Sequence, residues 1–198
     1  MSTVAVVDYG MGNRRSVEKA LEHVGATVAR TADPEEIRAA DAVVVPGVGA
    51  FPEAMRRLNA AGLDEVIRER AAGGTPVLGI CLGMQLLFER SVEHEGARGL
   101  GLLPGEVTAL EAPKVPHIGW NRVAMRRPSS LTRGLGDATA FYHVHSFVCR
   151  ASEEDVVGEG EYGERFASIV ERDNVAGVQF HPEKSSRDGL HLLANFVP

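Results

Sequence analysis

Apolar and polar positions change their spacing repeatedly along the first half of the chain. Short runs rich in apolar or β-branched residues predict strands, and amphipathic stretches between them predict helices. The predicted strands cover residues 3–8, 27–30, 42–45 and 76–81, and the predicted helices cover about 16–24, 34–40, 53–60, 64–72 and 82–89. Because strands and helices alternate, this half predicts an α/β fold with a doubly wound, mostly parallel sheet.

The pattern changes after residue 89. A glycine-bearing connection covers residues 90–105, and several later segments alternate apolar and polar positions, as strands with one polar face do. Strands are predicted at residues 107–110, 117–123, 140–149 and 168–172, and a last helix with a serine cap at about 186–195. We expect these strands to be antiparallel additions to the sheet, and residues 1–198 to form a single domain.

Composition limits the possible functions. The 198 residues are 44% hydrophobic with a formal net charge of −6, which is ordinary for a globular protein and argues against nucleic-acid binding. We find no apolar run long enough to cross a membrane, so no membrane association is expected. Two distant cysteines, Cys81 and Cys149, do not make a disulfide framework, which predicts a reducing, cytoplasmic location.

Cys81 stands between Gly79 and Gly83, where a predicted strand gives way to a predicted helix. The G-x-C-x-G spacing is the thiol form of a nucleophile elbow, a strained turn in which larger neighbours would collide. The helix start favours the reactive thiolate, and the N–H of Leu82 would point toward an oxyanion. A small buried cysteine is the alternative, and the two glycines weigh against it.

A base for this nucleophile is predicted near the other end of the chain. The strand that begins at Val175 would deliver His181 at its carboxyl end, and Glu183 follows two residues later. In extended backbone such residues face the same side, so Glu183 could hold one ring nitrogen of His181 while the other faces Cys81. This arrangement predicts a Cys–His–Glu triad, with a surface ion pair as the alternative.

Gly47, Val48 and Gly49 follow the strand predicted at residues 42–45. Glycines at the carboxyl end of a parallel strand mark a place where the backbone comes close to another group. The segment is either a simple tight turn or a mobile strip of backbone N–H groups for an oxyanion. The neighbouring elbow favours the strip.

Two of the predicted strands, at residues 117–123 and 140–149, carry three histidines and the only tryptophan. His143 and His145 alternate along a predicted strand and therefore share one face. A metal pair is conceivable, but without a local third ligand we predict core or interface histidines and no metal. Trp120, close to His117, suits either a partner surface or the core. Cys149 has no elbow around it, which predicts a structural role.

The two triad segments resemble a known family. Residues 79–85 (GICLGMQ) and 178–183 (VQFHPE) resemble the class I (triad) glutamine amidotransferases, and the resemblance extends over essentially the whole chain. Further stretches resemble the glutaminase subunits of imidazole glycerol phosphate synthases, namely residues 7–13, 46–51, 85–89, 116–121 and 183–185. The resemblance implies the flavodoxin-like class I amidotransferase fold, with no cofactor.

The resemblance also implies roles for single residues. Cys81 would attack the side-chain amide of L-glutamine, His181 would pass the thiol proton to the departing ammonia, and Glu183 would orient His181. The oxyanion hole, complete only after the strip rearranges, would consist of backbone groups of Leu82, Val48 and Gly49. The amino-acid end of glutamine would be held by Gly47, Gln85, Glu93, Ser146 and Phe147.

The resemblance further implies a heterodimer with a cyclase subunit of the (β/α)8-barrel type. Ammonia would convert the ribulosyl precursor PRFAR there to imidazole glycerol phosphate and an aminoimidazole carboxamide ribotide, a step of histidine biosynthesis. The residues implied to face this partner are Asn13, Trp120 and Lys184. Two alternatives stay open: an amidotransferase of anthranilate, nucleotide or pyridoxal phosphate synthesis, and a non-catalytic subunit with a relic site.

Overall fold

The computed structural model describes residues 2–198, which form 13 strands and six α-helices. The helices are α1 (Arg14–His23), α2 (Pro34–Ala39), α3 (Phe51–Ala60), α4 (Leu63–Ala72), α5 (Leu82–Leu86) and α6 (Ser186–Phe196). The strands are β1 (Thr3–Val7), β2 (Thr27–Thr31), β3 (Ala42–Gly47), β4 (Val77–Cys81), β5 (Phe88–Ser91), β6 (Ala97–Arg98), β7 (Leu103–Ala109), β8 (His117–Met125), β9 (Ala138–His145), β10 (Phe147–Ala151), β11 (Val156–Tyr162), β12 (Glu164–Arg172) and β13 (Val175–Val178). In this part of the chain no helix has the length and apolar character that crossing a membrane requires.

Nine strands form a large sheet in the order β2-β1-β3-β4-β13-β12-β11-β8-β9. The first five are parallel to one another, and the last four are added in antiparallel orientation. The predicted α/β fold with antiparallel additions is therefore confirmed. β3 and β4 are buried along their whole length, which explains why their sequences are apolar without alternation.

Helices cover both faces of the parallel part of the sheet. Val4 and Val6 of β1 pack with α1 and α6, whereas Ala5 and Val7 pack on the other face with α2, α3 and α4. Successive strand residues point to opposite faces, so one apolar strand contributes to both cores. The carboxyl ends of β3, β4 and β13 lie side by side, at the edge where open α/β sheets bind ligands.

A second sheet of four strands, in the order β10-β7-β5-β6, was not predicted. The strand predicted at residues 107–110 as an addition to the large sheet is part of β7 and belongs to this second sheet, so that prediction is wrong. The helix predicted over residues 82–89 is wrong at its end, because α5 stops at Leu86 and Phe88–Ser91 forms β5. The apolar run suits either element, and a long-range contact decides between them. The N–H of Leu100 donates to the Leu86 carbonyl oxygen (2.8 Å), which is therefore not available for a longer helix.

The single strand predicted at residues 140–149 is in fact two strands. β9 ends at His145 in the large sheet, and β10 begins at Phe147 in the small sheet. Between them the Ser146 carbonyl accepts a hydrogen bond from the N–H of Leu110 (2.9 Å). Ser146 is thus the crossing, the point where the chain passes from the large sheet to the small one. Apolar and polar positions go on alternating there, so the sequence pattern does not reveal the crossing.

β11 was not predicted, because Gly158 and Gly160 weaken its strand pattern. The structure explains the second glycine. A Cβ on Gly160 would come within 2.5 Å of the Phe166 ring, which covers this position from the neighbouring strand β12. An aromatic residue on the paired strand thus replaces the missing side chain.

The serine cap predicted for the last helix is wrong in its bonding. Ser185 occupies the N-cap position of α6, but its hydroxyl makes no capping hydrogen bond. It donates instead to the His181 carbonyl oxygen (2.6 Å) and accepts from the N–H of Tyr142 (3.0 Å). Ser185 therefore ties the segment after β13 to β9.

Candidate active site

Cys81 closes β4 in a strained backbone conformation. Its φ of 55° and ψ of −112° lie in a region that residues with a side chain rarely adopt, as the elbow pattern predicts. A Cβ on Gly83 would overlap the Val45 carbonyl oxygen, and one on Gly79 would come within 2.5 Å of the Gly83 carbonyl oxygen. Both glycines are needed for α5 to pack directly on β3 and β4.

His181 and Glu183 form a buried pair, and His181 lines the same cavity as Cys81. His181 Nδ1 lies 2.8 Å from Glu183 Oε1, and the two side chains are 4% and 0% exposed. The extended backbone predicted here is wrong, since Pro182–Lys184 forms a 3-10 turn. The residues meet because of this tight turn, while the N–H of His181 donates to the Tyr142 carbonyl oxygen of β9 (2.9 Å).

The protonation of His181 depends on its neighbours in the triad. Burial by itself would lower the pKa of His181, but hydrogen bonds to the Cys81 sulfur and to the Glu183 carboxylate outweigh burial and raise this pKa to about 10. The imidazolium form of His181 is therefore favoured at neutral pH. A protonated imidazole is the partner that stabilises a thiolate nucleophile.

The glycine-rich loop after β1 contacts both the triad and the strip. Asn13, expected to face a partner, donates through Nδ2 to Glu183 Oε1 (3.2 Å). Tyr9 donates its hydroxyl proton to the Pro46 carbonyl oxygen (2.7 Å), at the base of the strip. Sequence analysis missed both contacts, because they join segments 170 and 37 positions apart and neither residue type signals them.

Cys81 and His181 open into a cavity of about 340 Å³ at the carboxyl edge of the large sheet. Residues predicted for the oxyanion hole or for glutamine binding line it: Val48, Gly49, Leu82, Gln85, Glu93, Ser146 and Phe147. Lys184, expected to face a partner, lies in the same wall. The structure thus brings together groups from both sheets that are far apart in sequence.

Besides Glu183 and Asn13, whose contacts are given above, Gly47 and Trp120 do not line this cavity. Gly47 stands behind it, where an added Cβ would meet the Tyr9 hydroxyl at 2.8 Å. Trp120 lies on β8 with 56% of its surface exposed and its ring in edge contact with Tyr142. A larger, open depression of about 750 Å³, lined by residues between Met125 and Asp137, holds none of the predicted site residues.

Two polar side chains of the cavity are already held by the protein. Gln85 donates through Nε2 to the Phe147 carbonyl oxygen (3.2 Å) and to Gln179 Oε1 (3.1 Å). Glu93 Oε2 accepts from the N–H of Phe51 (2.7 Å) at the start of α3. Gln85 Oε1 makes none of these hydrogen bonds, and Glu93 Oε1 makes only a long ion-pair contact with Nε2 of the exposed His94 (3.9 Å). The wall can therefore offer two acceptor oxygens to a ligand that carries N–H donors.

The family model described as "Glutamine amidotransferase class-I" matches residues 5–198. The chain belongs to the class I glutamine amidotransferases. The match includes the elbow, the strip and the His181–Glu183 turn, so one family pattern covers every part of the site described above.

Relatives of this amidotransferase have informative names. "Imidazole glycerol phosphate synthase subunit HisH" of Moorella thermoacetica is 55% identical over 198 residues, with 99% of this chain and 94% of the relative covered. The protein of the same name from Bacillus cereus (strain G9842) is 50% identical over 194 residues, with 98% and 93% covered. A solved "Crystal structure of glutamine amidotransferase" has a TM-score of 0.77 at 22% identity, covering 96% of this chain and 98% of its own, and is similar in fold.

The amidotransferase also buries three histidines next to the cavity. His145 Nδ1 can only donate to the Phe147 carbonyl oxygen (3.0 Å), so its Nε2 accepts from His117 Nδ1 (3.0 Å). His143 donates to a strand carbonyl (3.0 Å) and accepts from the Ser168 hydroxyl (2.9 Å). Residues 2–198 contain no group of three or more His, Cys, Asp or Glu placed to hold a metal ion. These hydrogen bonds satisfy both ring nitrogens of His143 and of His145 in their neutral forms.

We expect the free energy of unfolding to fall as the pH is lowered from about 6.5 to about 4. Burial lowers the pKa of His143 to about 3 and that of His145 to about 4. Below the unfolded value of about 6.5 the unfolded chain binds protons that the folded chain excludes, so each histidine costs up to about 1.4 kcal/mol per pH unit. Urea unfolding between pH 4.5 and 7 measures this slope.

The variant His143→Gln isolates one of these contributions. It removes one of the two strongly shifted groups. The number of protons bound on unfolding between pH 6 and 5, which the slope of the free energy of unfolding against pH reports, should therefore be lower by about one. An unchanged slope would show that carboxylates, and not His143, govern stability in this pH range.

Proposed function

We propose that this chain is the glutaminase subunit of an imidazole glycerol phosphate synthase. It hydrolyses L-glutamine to glutamate and supplies ammonia to a cyclase subunit. The observation that carries the proposal is the strained elbow of Cys81 beside the His181–Glu183 pair. Near full-length relatives that are 50% and 55% identical and bear that subunit name support the choice of synthase.

In the proposed reaction the Cys81 thiolate attacks the side-chain amide carbon of glutamine, and the carbonyl oxygen becomes an oxyanion. His181 gives its proton to the nitrogen, the C–N bond breaks, and ammonia leaves a glutamyl thioester. Water then attacks the thioester and gives a proton to His181, and the C–S bond breaks to release glutamate. Glu183 holds the Nδ1 proton, so Nε2 is the nitrogen that handles the transferred proton.

Backbone N–H groups would stabilise the oxyanion. Leu82 is the first residue of α5, so its N–H has no acceptor within that helix. The second donor would come from Val48 or Gly49 in the strip. Gly49 has a φ of 103° and the Val48 side chain is 42% exposed, which suits a peptide that rotates at low cost. We propose that the strip rearranges before this donor faces the oxyanion.

The amino-acid end of glutamine would lie against the wall that contains Glu93 and Gln85. Gln85 Oε1 and Glu93 Oε1 are acceptors that suit the α-ammonium group. The Phe147 carbonyl oxygen already accepts two hydrogen bonds, from Gln85 and His145. At this crossing we therefore expect Ser146 to make most of the contacts with the substrate. Gly47 would contribute by leaving room behind the wall.

The partner is proposed to be a cyclase subunit of the (β/α)8-barrel type that converts PRFAR to imidazole glycerol phosphate and an aminoimidazole carboxamide ribotide. Trp120, Lys184 and Asn13 are proposed to face it. The exposure of Ile118 on β8 supports an apolar docking surface, since this residue is 60% exposed and lies two positions from Trp120. The proposed chemistry uses only the side chains of the triad and backbone N–H groups, and needs no cofactor.

Glutamate release under three conditions tests this function. The conditions are the chain alone, the chain with a cyclase subunit, and the complex with PRFAR or a non-reacting analogue. We expect a rise of roughly 10- to 100-fold on ligand addition, because the strip must rearrange before the oxyanion hole is complete. Strong activity of the chain alone, indifferent to the cyclase, would favour an amidotransferase of another pathway.

A further inference from the structure

A single carbonyl group determines how the amide side chains near Cys81 are oriented. The Phe147 carbonyl oxygen lies 3.2 Å from Gln85 Nε2. Because a carbonyl oxygen can only accept, the Gln85 amide must turn its nitrogen toward Phe147 and its oxygen elsewhere. The amide of Gln85 is therefore held in one of its two flipped orientations.

The same argument extends one residue further. Gln85 Nε2 also lies 3.1 Å from the side chain of Gln179, which must present its oxygen to this donor. The nitrogen of the Gln179 amide is then left for the other side, where it lies 3.9 Å from Cys81 Sγ. Phe147, Gln85, Gln179 and Cys81 thus form a chain of contacts in which every donor and acceptor is determined.

Gln179 has the rigidity that such a role needs. The residue is fully buried, and its N–H donates to the Ser168 carbonyl oxygen (2.9 Å) directly after β13. The contacts of its side chain described above are to Gln85 and Cys81, both in the catalytic region. A buried amide with polar contacts only to site residues has no evident purpose in folding alone, since an apolar residue would fill the core without needing partners.

We propose that Gln179 is a positioning residue of the glutaminase reaction, an inference that rests on the proposed function. Its amide nitrogen faces the Cys81 thiolate, and its amide oxygen holds Gln85 so that the Gln85 oxygen is left for the α-ammonium group of the substrate. Gln179 therefore connects the reacting end of the cavity to the end that recognises the amino acid.

Loss of Gln179 should affect the reactivity of Cys81 and the binding of glutamine separately. Without the Gln179 donor, the thiolate of Cys81 loses one favourable contact, and the pH midpoint of its alkylation should rise by about one unit. Without the Gln179 acceptor, the Gln85 amide keeps only its hydrogen bond to the Phe147 carbonyl oxygen and is held less firmly, so the KM for glutamine should rise roughly tenfold. A residue that only fills the core would change neither quantity.

The test uses Gln179→Met, which keeps the volume and removes both hydrogen bonds, and Gln179→Glu, which places a carboxylate beside the sulfur. The matched control is Ser168→Ala, which removes a buried hydrogen bond next to Gln179 without touching this chain of contacts. Iodoacetamide alkylation of Cys81, followed by peptide mass spectrometry, gives the pH midpoint. Steady-state assays of the complex with glutamine and with glutaramate, which lacks the amino group, give the substrate readout.

We expect a raised midpoint in Gln179→Met and a higher one in Gln179→Glu. The preference for glutamine over glutaramate should become smaller in Gln179→Met only, because a carboxylate at position 179 can still accept from Gln85 Nε2. Ser168→Ala should match the wild type in both readouts. A wild-type midpoint and a wild-type preference in Gln179→Met would overturn the inference. If that variant does not fold, Gln179→Asn carries the same expectation, because its amide is one bond too short for both partners. A wild-type complex that releases no glutamate would contradict the proposed function instead, and the alkylation readout would still decide the contact between Gln179 and Cys81.

Discussion

Replacing Cys81 by serine is expected to lower glutamate release by roughly 10⁴-fold. The serine hydroxyl keeps its proton at neutral pH and is a weak nucleophile, although it fits the same strained turn. Glutamate release by the complex at saturating glutamine measures the loss. Acid quenching followed by mass spectrometry of the intact chain should detect a glutamyl thioester in the wild type and none in the variant.

The chain offers a matched control for this substitution. Cys149 is also buried, and burial raises the pKa of its thiol well above the usual value, which disfavours the thiolate. The variant Cys149→Ser makes the same chemical change in β10 and should keep the wild-type rate even if it lowers stability. A Cys81→Ser complex that hydrolysed glutamine at the wild-type rate would remove Cys81 from the mechanism.

Replacing Glu183 by glutamine is expected to lower the rate roughly 10³-fold while the fold is kept. The carboxylate can only accept from His181 Nδ1, whereas an amide could also donate to it and hold the ring in the wrong tautomer. The raised pKa of His181 depends in part on this carboxylate, so the pH dependence of the rate should shift as well. Rate measurements between pH 6 and 10 test both expectations.

Glu164→Gln is a suitable comparison for this variant. Glu164 forms a two-bond ion pair with Arg150 (2.6 and 2.9 Å), and neither residue lines the cavity. Its replacement also exchanges a paired carboxylate for an amide, and it should change stability and leave the pH profile of the rate as it was. If Glu183→Gln showed the same profile as Glu164→Gln, the carboxylate of Glu183 would have no orienting role.

The elbow could be predicted because its cause is local. A strand, a turn and a helix meet within a few residues, and the glycines around Cys81 are needed by contacts that this short segment makes with itself and with β3. The pairing of His181 with Glu183 was predicted from extended backbone, whereas the structure forms it through a 3-10 turn. Because His181 and Glu183 are only two positions apart, either geometry brings their side chains together.

The features that sequence analysis missed depend on distant segments. The small sheet exists because the chain crosses at Ser146, where the apolar alternation does not change. Asn13 was assigned to a partner surface, and only the packing of the loop after β1 shows that it also contacts Glu183. Gln179 lies in the same strand-end motif as His181, but the two side-chain partners of Gln179 lie 94 and 98 positions away.

The crossing at Ser146 has a consequence for the length of the substrate. Cys81 belongs to the large sheet, whereas Glu93 and Phe147 belong to the small sheet or its connections. In the proposed binding mode the substrate would extend across the junction, with its amide carbon at one sheet and its charged groups at the other. Asparagine is shorter by one methylene group and would not reach both sheets at once. We therefore expect the spacing of the two sheets to favour glutamine over asparagine by the length of its side chain.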